Sequence, residues 1–428
     1  MGLTRLNGVD LVSHHVNDAR FGDRTGASGG VLIVSRTELL DLLRTDPGLP
    51  DVRFHIVRPG ESVRINGILD VIQPRSKGRG SPQVTFPGIG TAPDPVRSGR
   101  THALQGITVL PVGRLPEGGE TFVQEDCLVD MAGPGARYSP FSRGVQLVVE
   151  FGRASDRRVR EPVAVRRLAA IRVARFLAQR ASETGSKDVE EFVSRDPRHD
   201  QREAVRVAYV CSVISEGPLH DTLLYGESTE RLRPRWISVP ELVDGALVSS
   251  DFHFSCQRTP TVLYQRNPVV EAIRKKSGLV LEGVILTLRY GSHSEKHKAA
   301  TRIVEMLRER GVQAVVTHPA VGGNAHIDAL DIVRECEKAR IPTALVLQEM
   351  AGDDGADPGL VDSVPEADLM VSSGNRDQLV DLPGVARTLG PDRLRDGRPT
   401  KGPLRLSLRS YLCSTNQVGA HTLTAIDA

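Results

Sequence analysis

The 428-residue chain is poor in aromatic residues, at 4%, and holds a single tryptophan. Its five cysteines, Cys127, Cys211, Cys256, Cys336 and Cys413, are scattered and odd in number. Such a set argues against a disulfide framework and fits a reducing compartment, so the expected location is cytoplasmic. No two cysteines form a CxxC pair, which argues against a closed zinc knuckle. No apolar run approaches the ~18 residues of a membrane span. The opening Met1-Gly2-Leu3-Thr4-Arg5 starts no apolar stretch of signal-peptide length. Net charge is only +2, so no basic field selects nucleic acid or an anionic membrane surface. Arginine far outnumbers lysine, which we read as coding bias rather than function.

What remains is an ordinary globular composition, 39% hydrophobic and 25% charged, in a chain long enough for two or three cores. Residues 1–155 read as a β-rich domain. Val31–Val34, Val52–Val57, Ile107–Leu110 and Val145–Val149 are short strand patterns separated by turn clusters such as Arg58-Pro59-Gly60-Glu61. A short helix is expected over 39–47. Residues 156–200 read as a helical connector, its helix running over 162–195 with Val165, Leu168, Ile171, Val173 and Phe176 along one side.

Residues 201–385 change pattern. Strands are expected at Val205–Ile214, Gly283–Leu288, Val312–Thr317, Pro342–Leu347 and Leu369–Ser372. Helices are expected over 293–310 and 325–339. Ser292-x-x-Glu295 reads as a capping box and Gly311 as a stop. Ile303, Val304 and Leu307 form one apolar face; Ile327, Leu330, Val333 and Cys336 form the other. Alternating strands and helices with continuous apolar strands predict an open, mostly parallel α/β sheet of the Rossmann-like class. Residues 386–428, with a strand at Leu404–Leu408, are expected to form a tail packing on the body.

Open α/β sheets bind ligands at the carboxyl ends of their strands. The segments after those strands carry His220, His293, His318, His326 and Glu349. Gly322-Gly323-Asn324 at a helix start exposes backbone N–H groups suited to a carboxylate, although Asn324 as a plain N-cap explains the same residues. His253 and Cys256, three apart, suit a shared metal or a thiol paired with a base; a buried structural cysteine beside a surface histidine is the plainer alternative. His318 and His326 would extend a metal shell for zinc or another transition metal.

Longer matches carry a resemblance: Val16-Asn17-Asp18-Ala19-Arg20-Phe21-Gly22-Asp23-Arg24-Thr25, Arg58-Pro59-Gly60-Glu61-Ser62-Val63-Arg64, Phe86-Pro87-Gly88 and Asp130-Met131-Ala132-Gly133-Pro134-Gly135-Ala136-Arg137-Tyr138-Ser139-Pro140-Phe141. Leu219-His220-Asp221-Thr222, Asp244-Gly245-Ala246-Leu247-Val248-Ser249, Asn267-Pro268-Val269 and Glu349-Met350-Ala351-Gly352 follow in order. Nearly end to end, the chain resembles the component B proprotein subunit of the glycine/sarcosine/betaine reductases, related to the D-proline reductase proprotein.

The resemblance implies self-cleavage before a cysteine in a Gly-Asn-Cys segment. That step yields a pyruvoyl group, a Schiff base with the substrate amine, and attack by a selenoprotein partner. Here Ser250, Asp251 and Phe252 occupy the matching positions. Phe252 has no hydroxyl or thiol to attack the preceding carbonyl, so no pyruvoyl group is expected there.

Three readings follow. The first is a diverged enzyme subunit acting on a small amino acid or amine derivative, beside a selenoprotein-type or cysteine-homologue partner. Cys256, His253 and Glu349 would be its catalytic residues, with Gly322, Gly323, Asn324 and His220 binding substrate. His253, Cys256, His318 and His326 would be its metal ligands. The second is a non-catalytic binding or scaffold subunit. The third retains pyruvoyl chemistry through Ser249 or Ser250.

Overall fold

The computed structural model describes residues 9–44, 49, 51–77, 99–113, 127–152, 162–184, 189–192, 204–213, 234–238, 268–288, 290, 292–319, 324–349, 364–375, 379–407, 410–412 and 424–426. Among them, no helix is long and apolar enough to cross a membrane.

The second half of the chain builds a seven-stranded sheet. Its elements are β1 (Val205–Val213), β2 (Arg235–Ser238), α1 (Pro268–Lys275), β3 (Leu279–Leu288), α2 (His293–Glu309), β4 (Ala314–His318), α3 (Asn324–Lys338), β5 (Thr343–Glu349), β6 (Leu369–Asn375) and β7 (Thr424–Ile426). The spatial order is β2-β3-β1-β4-β5-β6-β7. β3, β1, β4, β5 and β6 run parallel, and β2 and β7 close the edges antiparallel. The expected α/β sheet is therefore present, with strands within a few residues of the expected bounds.

The sheet's apolar runs explain its burial. Ala208, Val210, Ile285 and Val315 form one core with Ala300, Ile303, Val304 and Leu307 of α2 and with Ile332 and Cys336 of α3. Leu345, Leu347 and Met370 continue it against Ala329, Leu330 and Val333 of α3. The capping box is formed: the Ser292 side chain accepts from the Glu295 amide, and Glu295 returns to the Ser292 amide. One face assignment differs. Ile327 is 38% exposed, and its neighbours His326 and Asp328 are buried instead. The buried stripe of α3 runs Asp328, Ile332, Cys336, spaced by four, and Ile327 sits a quarter-turn off it.

The first half is β-rich, as its turn spacing implied. Strand Val9–His15 lies between Gly99–Gln105, parallel, and Val189–Phe192, antiparallel. Strand Val145–Phe151 lies between Val52–Val57 and Ile107–Gly113. The short helix begins earlier than expected, at Arg36, capped by Ser35. The long helix spans Pro162–Thr184 and stops before Gly185; Val189–Phe192, expected as helix, is strand. This helix packs through alanines together with Ile171, Val173 and Leu177. Ala170, Ala174, Leu177, Ala178 and Ala181 share a core with Leu32, Leu104, Val109 and Leu147. Small side chains let the helix axis approach the strands closely.

The quoted N-terminal motifs meet in space. Arg58 Nε donates to Asp18 Oδ1 at 2.6 Å and its Nη2 to the Ala19 carbonyl at 2.7 Å. Arg64 grips Asp130 with two bonds, Nε to Oδ1 at 2.6 Å and Nη2 to Oδ2 at 2.9 Å. Arg64 also donates to the carbonyls of Pro383, Thr400 and Gly402, and the Tyr411 hydroxyl donates to Asp130 at 3.3 Å. Strand Arg387–Leu389 pairs with Val63–Asn66. The buried Arg64 guanidinium and this strand pairing together tie residues 383–407 to the first half.

Candidate functional site

Among the five parallel strands the spatial order is second, first, third, fourth, fifth. The chain leaves β1 toward β3 but leaves β4 toward β5. Connections that diverge from neighbouring strands open a crevice at their carboxyl ends, the usual ligand position in doubly wound sheets. Here that crevice lies between β1 and β4, where Cys211 and His318 are register partners.

His318 is the last residue of β4 and only 2% exposed. Neither of its ring nitrogens has a hydrogen-bond partner. Burial, helped by the nearby His326 charge, drives its pKa down to about 3, so it is neutral at physiological pH. His326, in the first turn of α3, is 1% exposed. Of the sequence-nominated residues, these two are brought together. His293 is not: its side chain is 85% exposed, 3.9 Å from Asp331.

Glu349 closes β5 and Asn324 opens α3, so both main chains stand at the same sheet edge; their side chains lie outside the described set. His220, His253, Cys256, Gly322 and Gly323 lie outside the described residues.

Sequence reasoning passed over the most strongly built group at this edge. Lys296 of α2 and Asp328 of α3 form an ion pair, Nζ to Oδ1, at 2.5 Å, with side chains 5% and 2% exposed. The Tyr290 amide donates to Asp328 Oδ2 at 3.3 Å, and Thr287 Oγ1 donates to the Tyr290 hydroxyl at 3.3 Å. Desolvation raises the Asp328 pKa to about 6 although Lys296 pulls the other way. The signal was present: Lys296 continues the buried stripe of Ala299, Ala300 and Ile303, and Asp328 that of Ile332 and Cys336. Opposite charges on the apolar stripes of successive helices mark a buried pair.

Two thiols are also placed. The Tyr209 hydroxyl lies against Cys211, and burial followed by that thiol pushes its pKa well up. Burial pushes Cys336 up to about 12, an inert structural thiol.

The model of the family described as glycine/sarcosine/betaine reductase component B subunits matches residues 9–425. The chain belongs to this family. It is 29% identical over 425 residues to the glycine reductase complex component B subunits alpha and beta of Acetoanaerobium sticklandii, covering 96% of this chain and 97% of that one. It is 31% identical over 389 residues to the sarcosine reductase complex component B subunit alpha of Peptoclostridium acidaminophilum, covering 89% of each. The betaine reductase complex component B subunit alpha of the same organism is 27% identical over 397 residues, 89% of this chain and 87% of that one. No solved structure matches the chain.

Proposed function

We propose that this component B protein is an enzyme subunit of a reductase complex. It acts on a small amino acid or amine derivative, at a C–N or related bond, without a pyruvoyl group. The reading rests on one contrast. The family match is end to end, yet Phe252 stands where the family's cysteine is expected, and a phenyl ring cannot supply the attack that makes a pyruvoyl group. Meanwhile the sheet edge keeps buried, chemically competent side chains, which a site without work tends to replace by apolar packing.

In this reading Cys256 is the thiol nucleophile, and His253 and Glu349 handle protons. Gly322, Gly323, Asn324 and His220 hold the substrate. A partner of selenoprotein type, or its cysteine homologue, supplies the reducing equivalents. Its relatives are named as subunits of complexes, which supports a partnered role. A transition metal such as zinc fits one part of the site: His318 offers buried ring nitrogens without a partner, beside His326. Among the described residues no group of three or more ligand side chains is present, so His253 and Cys256 would complete the set. Such an ion would supply Lewis acidity.

Loss of the processing cysteine favours a second reading, a non-catalytic binding or scaffold subunit. Replacing Cys256 by Ser and His253 by Ala separates the two. The enzyme reading expects amine release from the assembled complex to fall at least about a hundredfold while the subunits still co-purify. Unchanged turnover by the double variant contradicts it.

A further inference from the structure

A second set of ligand-type residues lies outside the parallel sheet, on a four-stranded sheet of the first half. Its spatial order is Val189–Phe192, Val9–His15, Gly99–Gln105 and Arg75–Lys77. His14, on the second of these strands, is 3% exposed. Its Nε2 lies 2.9 Å from Nδ1 of His102 on the third, with ring centroids 5.2 Å apart. Two ring nitrogens that close cannot both point a proton at each other, so at least one presents a lone pair. The contact does not complete the local polar network. His14 Nδ1 is buried without a hydrogen-bond partner, and so is the hydroxyl of Ser76, the register partner of His102 on the fourth strand. Interiors seldom leave two such atoms unpaired in one neighbourhood unless something else belongs there.

The register brings one more donor position to the same face. Val12 pairs with His102 and His14 with Leu104, so strand alternation sets positions 12, 14, 102 and 104 on one side of the sheet. Leu104 belongs to the core shared with helix Pro162–Thr184, so this is the inner face. Glu191 is the register partner of Val12 on the first strand, which sets position 191 on that face too, one diagonal step from His14. His15, next in the chain, falls on the opposite face and is exposed. Two imidazoles and a carboxylate position thus share the inner face on three adjacent strands.

We propose that His14, His102 and Glu191 form a two-histidine, one-carboxylate site for a divalent first-row transition ion. The nitrogen spacing sets the geometry. With metal–nitrogen bonds of about 2.0–2.1 Å, nitrogens 2.9 Å apart subtend about 90° at the ion, the cis angle of a facial octahedral set. Tetrahedral zinc asks for about 3.3 Å with the same bond lengths. Three protein donors leave positions open for water, and the unpartnered Ser76 hydroxyl, across the register from His102, supplies a hydrogen bond to one. His102 is only half-buried, which gives the ion a way in. An ion held there ties Val189–Phe192, which follows the long helix, to the first strand of the chain. This site is separate from the sheet edge and does not depend on the function proposed above.

The test uses the full chain carrying His318→Leu, which removes a sheet-edge ligand, stripped with chelator and loaded with Co2+ as the probe. The expected result is one retained equivalent with the weak absorption of octahedral cobalt and no thiolate charge-transfer band. His102→Gln or Glu191→Gln weakens Co2+ binding by at least about a hundredfold, more than the loss of an outer-shell contact costs. His15→Gln, on the other face, leaves it unchanged. Glu191 lies on an edge strand, so its substitution disturbs the sheet least. The wild-type chain retains the same equivalent beyond whatever the sheet edge holds, and Co2+ raises its unfolding midpoint with concentration, so a poorly folding variant does not block the test. No retained cobalt, an intense tetrahedral spectrum, or equal affinity in His102→Gln and Glu191→Gln overturns the proposal and leaves His14 and His102 as a hydrogen-bonded pair of the interior.

Discussion

Lys296 and Asp328 meet at 2.5 Å across the N-terminal turns of two successive crossover helices, nearly sealed from solvent. Buried pairs of this kind seldom add stability over apolar packing, yet breaking one is costly. Lys296→Met alone, or Asp328→Asn alone, is expected to destabilise by about 3–5 kcal/mol. The double variant is expected to lose clearly less than the sum, because no charge is stranded. Denaturant unfolding of the four proteins of this cycle measures it; strict additivity would mean the two groups are not coupled.

The same edge sets a pH dependence with two opposed parts. His318 has a folded pKa depressed to about 3, so its contribution is present above the unfolded value near 6.5 and is lost as pH falls toward 3. In that window it tilts stability by about 1.4 kcal/mol per pH unit. Asp328 is raised to about 6, so its contribution is complete below the unfolded 3.8 and is lost as pH rises through 6. Between pH 4 and 6 the two oppose each other. His318→Leu should therefore be less acid-sensitive than the parent, and Asp328→Asn more so. Unfolding midpoints at half-unit intervals from pH 4 to 7 check both signs.

Arg64 joins three distant segments through Asp130 and the carbonyls of Pro383, Thr400 and Gly402. Arg64→Met strands the buried Asp130 and is expected to cost about 3–5 kcal/mol. Residues 383–412 should then be cut by limited proteolysis well before the rest of the chain. Uniform resistance across that stretch would show that the strand pairing of Arg387–Leu389 holds it unaided.

Gly135 lies against the same knot. A Cβ there would be driven into the Asp130 carboxylate and the Tyr411 hydroxyl. Gly135→Ala is expected to mimic much of the Arg64→Met loss in thermal unfolding, whereas Gly133→Ala, with open space around it, should cost about 1–3 kcal/mol through backbone strain alone, since its φ of 72° and ψ of −166° suit only glycine.

The sequence-level reading succeeded where a local pattern decides the outcome. The Ser292-x-x-Glu295 cap, the Ile303–Leu307 face and the apolar strands of the parallel sheet each follow from spacing alone. It slipped where tertiary packing overrides spacing. The alanines of Pro162–Thr184 carry little hydrophobic signal, yet they share the buried face with the expected Ile171 and Val173. Ile327 gave way to His326 and Asp328 because a charged partner on α2 stabilises a carboxylate on the buried stripe. Lys296 and Asp328 were not nominated, although each continues the buried stripe of its helix. Topology was legible only in part: alternation implies a parallel sheet, but the crevice between β1 and β4 depends on which way each connection turns.

The measurement that bears most directly on the account is the intact mass of the purified chain under denaturing conditions, with metal analysis of the same native sample. The account predicts one polypeptide of full-length mass, since Phe252 cannot initiate pyruvoyl formation. Two polypeptides, the second beginning with a blocked residue near 249–252, would contradict it and restore the family's cofactor to this chain.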